Sequence, residues 1–348
     1  MGEGGTVIIL RNYDVVSYYP SQMVVNGYTS RNIPSPEIFE TVYRDRIAAK
    51  KAGDKNKANA LKLILNTTYG ASLASTNPLY DPLMGRSICI SGQLYLLELA
   101  QHLYRDIPGL RIVALNTDGI LVEFDDSYYY EVTAILDEWQ KRTGFELEED
   151  KIKRLIQKDV NNYILVFESG KVKTKGSYVT YGMAPAGAFS INNNHTIVKK
   201  AVIEYFVNGT PVEDTILGCD NIFEFQIIAK AGGGYKSVYR VPADFEERKK
   251  RWQKEHRTRE IPNPRFTWDC YDGPRSTVQR VNRVYAAMIP NMGTLVKVKP
   301  DGTVGKIGGL PESVVIDNKN GLSLCHINKQ WYIDLAKKYI SDYMGDSV

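Results

Sequence analysis

A chain of 348 residues exceeds what one hydrophobic core ordinarily serves, so two or three subdomains are expected. A composition of 43% hydrophobic and 24% charged residues fits a soluble globular protein, with no apolar run near the roughly eighteen residues of a membrane span and no secretory signal peptide. The net charge of +4 is unevenly spread. Residues 1–150 hold 14 Lys and Arg against 20 Asp and Glu, and residues 151–348 hold 30 against 20. An acidic half joined to a basic half suits a protein that grips a polyanion. Four cysteines (Cys89, Cys219, Cys270 and Cys325) form no C-x-x-C pair. That speaks against a disulfide framework or a zinc site and for a reducing, intracellular compartment.

Thr6 to Leu10 is β-rich, and Tyr13 to Val16 resumes after Arg11-Asn12, which places Asp14 at a strand end. Ser17 to Pro20 turns away into a helix or loop. Ser35-Pro36-Glu37 is a helix start, with serine at the N-cap, proline at the first helical position and an acid in the first turn. This helix should run to about Ala52, with Gly53 as its stop and Asp54 capping a second helix from Lys55 to Tyr69. Helical spacing puts Lys62, Asn66 and Tyr69 on one face of the second helix, and Arg46 and Lys50 together on the first. Cations on facing helices are what a triphosphate with its metal needs, although a basic hairpin of this kind can equally be a solvated surface.

Arg86 to Tyr104 has helical periodicity, and its aromatics read as core. Arg111 to Phe124 is apolar on both sides of the tip Asn116-Thr117-Asp118-Gly119, a hairpin signal with Asp-Gly at the turn. By itself such an Asp-Gly is an ordinary turn former. Asp125 and Asp126, just beyond, read as surface, with a third carboxylate for the site as the alternative for either. Tyr128 to Thr143 is an amphipathic helix. Asn161 to Phe167 and Lys171 to Val179 form a second hairpin across Ser169-Gly170, with Lys173 and Lys175 on one strand face. Beyond it the sequence suggests a helix over His195–Asn208 and β-structure over Thr215–Ile228. A charged helix or arm follows over Phe245–Glu260, then helix, strand and helix over Gln279–Ala287, Gly293–Lys299 and Asn328–Tyr343.

Three of these stretches, in this order, resemble motifs A, B and C of the family B DNA polymerases. Motif A, D-x-x-S-L-Y-P-S, is matched by Asp14 to Ser21, with Tyr18 in place of leucine. Motif B, with its lysine and N-S-x-Y-G, is matched by Lys62 and Asn66-Thr67-Thr68-Tyr69-Gly70. Motif C, Y-G-D-T-D-S, is matched in part: Asn116 stands at the first aspartate and only the second, Asp118, is present. Lys173-Thr174-Lys175-Gly176 resembles the family's K-x-K-G, which holds the primer terminus.

The resemblance implies an α+β fold, the polymerase right hand: an antiparallel palm sheet, short two-helix fingers and a mixed thumb. The expected division is palm at 1–35 and 71–188, fingers at 36–70, and thumb with the C-terminal region at 189–348. It implies DNA-directed DNA polymerase activity, nucleotidyl transfer with two Mg²⁺ ions (Mn²⁺ as a substitute) held by Asp14, Asp118 and the Val15 carbonyl. It implies dNTP contacts from Tyr19, Arg46, Lys50, Lys62, Asn66, Tyr69 and Gly70, with Lys62 on the phosphates and Tyr19 beneath the sugar. It implies primer–template DNA at Lys173, Lys175 and Gly176. The expected partners are DNA, dNTPs and a separate exonuclease or processivity factor, with no membrane, in the cytoplasm of a bacterial host for a phage-type member. Thirteen residues precede Asp14, so the family's 3′–5′ exonuclease domain is expected to be absent from this chain. Intervals of 48 residues from Asp14 to Lys62 and from Gly70 to Asp118 favour an ordinary nucleic-acid primer over protein priming. Two other readings share part of the pattern: a two-metal nuclease, which has no use for the Lys62–Gly70 helix, and a non-catalytic DNA-binding remnant.

Overall fold

A computed structural model describes residues 7–182, 188–256, 278–288 and 293–345. The chain divides into two compact units, Met1–Leu155 with Leu165–Val172, and Ile156–Ile164 with Lys173–Val348.

The first unit is built on an antiparallel sheet. Strand β1 (Ile8–Val15) lies between β3 (Gly119–Asp125) and β4 (Leu147–Asp159), and β2 (Arg111–Leu115) pairs with the other edge of β3. Strands β5 (Asn162–Phe167) and β6 (Val172–Lys175) follow in the chain, and Lys173–Lys175 of β6 belong to the second unit. One sheet face carries Tyr13, Val15, Ile120, Val122 and Phe124 at strand alternation. They bury themselves against Leu96, Leu99 and Leu103 of α4 (Pro82–Asp106) and Val132, Leu136 and Trp139 of α5 (Tyr129–Thr143). Of the aromatics on α4, Tyr95 packs against this core, but Tyr104 is 68% exposed and does not.

Strand β1 is continuous through Arg11-Asn12, where the sequence suggested a break. Arg11 is buried because its guanidinium meets Glu168 at 2.8 Å and Glu149 at 3.4 Å, so the charge is matched within the sheet. Strand β4 was not legible in the sequence. Its LEEDKIK stretch has no apolar alternation, and what orders it is pairing with β1, from Leu10 opposite Ile152 to Val15 opposite Leu147.

Helices α1 (Tyr18–Val25), α2 (Pro36–Lys51) and α3 (Lys55–Leu73) complete this unit around Met23, Phe39, Leu65 and Ile88. Asp54 caps α3 by accepting from the Lys57 amide at 3.0 Å, and Gly53 takes φ +76° between the helices. Ser35 precedes α2 but makes no side-chain capping bond. Helix α3 passes through Gly70 to Leu73, beyond the expected end at Tyr69, because Gly70 keeps right-handed helical geometry. Asp81 caps α4 and is clamped by Arg31 at 2.8 and 2.9 Å; these bonds hold the Asp81 carboxyl well below the usual carboxylate range.

In the second unit α6 (Thr196–Asn208), α7 (Val212–Leu217) and α9 (Lys329–Met344) pack together. One three-stranded sheet has the order β12 (Val314–Ile316), β9 (Val281–Ala286), β7 (Ile227–Lys230). The other has β11 (Val304–Lys306), β10 (Thr294–Val298), β8 (Lys236–Arg240). Helix α8 covers Phe245–His256, and the remainder of the expected Phe245–Glu260 segment lies outside the described residues.

Two expectations here are corrected. Thr215–Ile228 is mostly helical turns, with Glu213 and Asp214 in the first turn of α7 and Asn221 capping a 3₁₀ turn by accepting from the Phe223 amide at 3.1 Å. The strand begins only at Ile227. Gln279–Ala287 holds β9 and not a helix. Its Asn282 and Arg283 are as buried as its Val284 and Tyr285, because Arg283 donates to Gln226 at 2.9 Å and lies over the Phe189 and Phe223 rings. A strand buried on both faces, with its polar groups satisfied internally, shows no alternation to read.

His195, at φ +34°, precedes α6, and its amide donates to the Gln226 carbonyl at 2.7 Å. Burial first, then the neighbouring Lys199, holds its imidazole down from 6.5 to about 4. The unfolded chain therefore takes up a proton near pH 6.5 that the folded unit refuses until about pH 4. Stability is constant above this window and falls as pH drops through it, by about 3 kcal/mol at most. Urea unfolding at pH 7 and pH 4.5 should show a smaller acid loss in His195→Gln than in wild type. Equal losses would show that the imidazole is not responsible.

Candidate active site

Strand β1 delivers Asp14 to its C-terminal end, where the register sets it opposite Gly119 on one side and Glu148 on the other. A Cβ at position 119 would overlap the Asp14 carboxylate and stand 2.8 Å from the Tyr13 carbonyl, so only glycine fits. The Val15 amide donates to the Asp118 carbonyl at 2.7 Å, and the Asn116 amide closes the tip on the Gly119 carbonyl at 2.9 Å. These bonds fix Asp118 beside Val15. Asp14 and Asp118, 104 apart in sequence, thus come to line one cavity through strand pairing.

Ser17, at φ +53°, turns the chain sharply from β1 into α1 and sends consecutive tyrosines in different directions. Tyr18 enters the core, with its hydroxyl donating to the Gly92 carbonyl at 2.7 Å and its ring edge-on to Phe145. Tyr19 faces a cavity, its ring 4.5 Å from that of Tyr69 at an interplanar angle of 50°. The cavity, of about 530 Å³, is lined by Asp14, Val15, Tyr19, Arg46, Lys50, Lys62, Asn66, Tyr69, Asp118 and Glu148, among others.

The three cations are not equivalent. Arg46 is 8% exposed, and its Nε and Nη1 have no hydrogen-bond partner among the described residues. Burial pushes its guanidinium down, while Tyr43 and Glu148 push it back up. Buried donors without acceptors are unfavourable, which makes this corner of the cavity receptive to anionic oxygen. Lys50 is already ion-paired with Glu148, and Lys51 approaches Glu146 at 3.6 Å, so the end of α2 is tied to β4. Lys62 is exposed at the rim and has no ion pair among the described residues.

Most of the residues singled out in the sequence come together here, all of them from the first unit. Gly70 does not: it lies on α3 with open space at its missing Cβ and does not line the cavity. Asn116 is half-buried and also off the cavity wall. Asp125 lies at the far end of β3, opposite Ile8, and accepts from the Ser127 amide at 2.9 Å. Lys173 and Lys175 are exposed on one face of β6, with Lys175 over the Tyr163 ring, and Gly176 takes φ +100° against Asn161 and Asn162. These three belong to the second unit.

Glu148 is the residue that sequence reasoning missed. It stands in the acidic run Glu148-Glu149-Asp150, which carries no mark of function, and only its pairing with Asp14 brings it to the site. Among the described residues there is no cluster of three or more His, Cys, Asp or Glu side chains arranged to hold a metal. No helix there is long and apolar enough to cross a membrane.

No protein-family model matches the chain. Over 151 residues, 39% of the chain, it is 27% identical to DNA polymerase 1 of Saccharolobus solfataricus, covering 17% of that protein. Over 147 residues, 38% of the chain, it is 26% identical to DNA polymerase 1 of Sulfurisphaera ohwakuensis, covering 16% of it. The chain thus spans about a sixth of the length of the curated relatives it matches. Its fold superimposes on the family B DNA polymerase from the hyperthermophilic archaeon Pyrobaculum calidifontis with a TM-score of 0.51 and 11% identity, over 99% of this chain and 46% of that one. By sequence the chain is similar to archaeal DNA polymerases, and by fold it resembles a family B DNA polymerase.

Proposed function

We propose that this chain is a DNA-directed DNA polymerase core that adds dNTPs to a primer 3′-hydroxyl on a DNA template. The observation that carries the reading is the cavity lined by Asp14, at the end of β1, and Asp118, at the hairpin tip before β3, together with Arg46, Lys62, Tyr19 and Tyr69. In this reading residues 1–35 and 71–188 form the palm, 36–70 the fingers and 189–348 the thumb.

The donor set fits magnesium. Mg²⁺ takes one or two carboxylates and completes its octahedron with water and substrate phosphate, not with an all-protein cage. Two carboxylates beside the Val15 backbone match that preference. Two Mg²⁺ ions, or Mn²⁺ in their place, would lower the pKa of the primer hydroxyl and neutralise the triphosphate as pyrophosphate leaves. Asp14 and Asp118 would hold these ions. Arg46 offers its unmatched donors to the triphosphate, and Lys62 stabilises the charge that develops on the leaving pyrophosphate. Lys50 must exchange Glu148 for phosphate if it is to join them; the pair is half-exposed and so weak enough to exchange. Tyr19 lies under the incoming sugar and Tyr69 beside the nascent base pair. Lys173, Lys175 and Gly176 contact the primer–template backbone.

Purified protein with Mg²⁺, dNTPs and a labelled primer–template should lengthen the primer. Shortening would point to a two-metal nuclease. Binding without change in length would point to a non-catalytic remnant.

A further inference from the structure

Helix α4 passes beneath the two cavity tyrosines and places one side chain against them. The Cys89 sulfur lies 3.0 Å from the Tyr69 hydroxyl oxygen, and the Tyr69 ring in turn leans on the Tyr19 ring at 4.5 Å. Cys89 is half-buried, does not line the cavity, and belongs to none of the motifs discussed above.

We propose that Cys89 is a positioning residue for sugar selection: its thiol anchors the Tyr69 hydroxyl and thereby fixes the Tyr19 ring under the incoming nucleotide. The inference rests on the polymerase reading and deepens it. The physical argument starts from the freedom of an aromatic side chain. A tyrosine packed on one face only can tilt, and discrimination by steric exclusion fails once the excluding ring can tilt away. The Tyr69 hydroxyl sits at the far end of its ring, where a single hydrogen bond has the longest lever arm against that tilt. Because the Tyr19 ring leans on the Tyr69 ring, restraining one restrains both. The electrostatics agree. Burial raises the Tyr19 and Tyr69 hydroxyls first, and the Cys89 thiol is the next contributor for each, so both hydroxyls sense this sulfur and both stay protonated near neutral pH. A protonated hydroxyl can donate to sulfur, a weak acceptor but a large and polarisable one.

The test is a double-mutant cycle. The kcat/KM ratio for dCTP against CTP is measured on one primer–template for wild type, Cys89→Ala, Tyr69→Phe and the double variant. Each single change removes one end of the same bond. Each should lower the ratio by about threefold to tenfold, the effect of one modest hydrogen bond, and the double variant should fall by less than the product of the two losses, since Cys89 and Tyr69 share one bond and each also reaches the Tyr19 hydroxyl. Cys89→Ser, which keeps a hydroxyl donor and acceptor, should recover most of the ratio, whereas a purely structural role for the thiol would show as equal losses with both nucleotides. A wild-type ratio in Cys89→Ala, or additive losses in the double variant, would overturn the inference while leaving the polymerase reading intact. Wild-type protein that fails to extend the primer would overturn that reading, and the inference with it.

Discussion

Asp14→Asn and Asp118→Asn should each abolish primer extension, by about a thousandfold or more, equivalent to about 4 kcal/mol of lost transition-state stabilisation. The change removes a charge and leaves the shape. Asparagine is nearly isosteric with aspartate, Asp118 is exposed, and Asp14 is only half-buried at a strand end. The bonds that hold the hairpin tip, from the Val15 amide to the Asp118 carbonyl and from the Asn116 amide to the Gly119 carbonyl, run through the backbone and survive either change. Both variants should therefore melt close to wild type and bind primer–template with similar affinity. Single-turnover extension, thermal melting and duplex binding measured together make the comparison. A folded variant that extends at a near-normal rate would remove that carboxylate from the metal site. Asn116→Asp makes the opposite change at the tip, adding a charge where the polymerase motif carries one. Position 116 is off the cavity wall, so extension should survive it.

Tyr19→Ala should raise CTP use relative to dCTP by roughly a hundredfold, as expected when a clash of about 3 kcal/mol is removed. The two adjacent tyrosines provide the control. Tyr18 is 3% exposed and hydrogen-bonded to Gly92. Its truncation should destabilise the fold by about 3–5 kcal/mol and lower the use of both nucleotides together. Tyr19 lines the cavity and leans on Tyr69, so its loss opens space where a 2′-hydroxyl can enter without dismantling the core. The measurement is kcat/KM for both nucleotides in a variant shown to be folded by its melting profile. An unchanged ratio would place sugar discrimination elsewhere in the site.

Much of the first unit was legible because its information is local. Pro36 with Glu37, Gly53 and Asp54 mark helix ends through bonds or conformations that involve only nearby residues. The Asp-Gly tip between apolar runs marks a hairpin for the same reason. Helical spacing carried Lys62, Asn66 and Tyr69 to one face, and all three line the cavity. The order of the three motifs was enough to suggest which residues would meet.

What the sequence left undetermined lies where structure depends on distant partners. Strand β4 has no alternation of its own and is ordered by β1, so Glu148 could not be placed until Asp14 had been. Strand β9 is buried on both faces, and its Arg283 is satisfied by Gln226, 57 positions away. Arg11 broke an apolar run in sequence yet is buried in β1, because two carboxylates reach it from β4 and from Glu168. Lys50 had the spacing of a phosphate ligand, but β4 supplies it with a carboxylate first. The sequence by itself therefore marked which side chains are candidates to hold a metal and a triphosphate. The tertiary structure decided how the cations among them are matched, leaving Arg46 with two donors unpartnered among the described residues and Lys50 paired with Glu148, because whether a charge is matched depends on what another strand brings beside it.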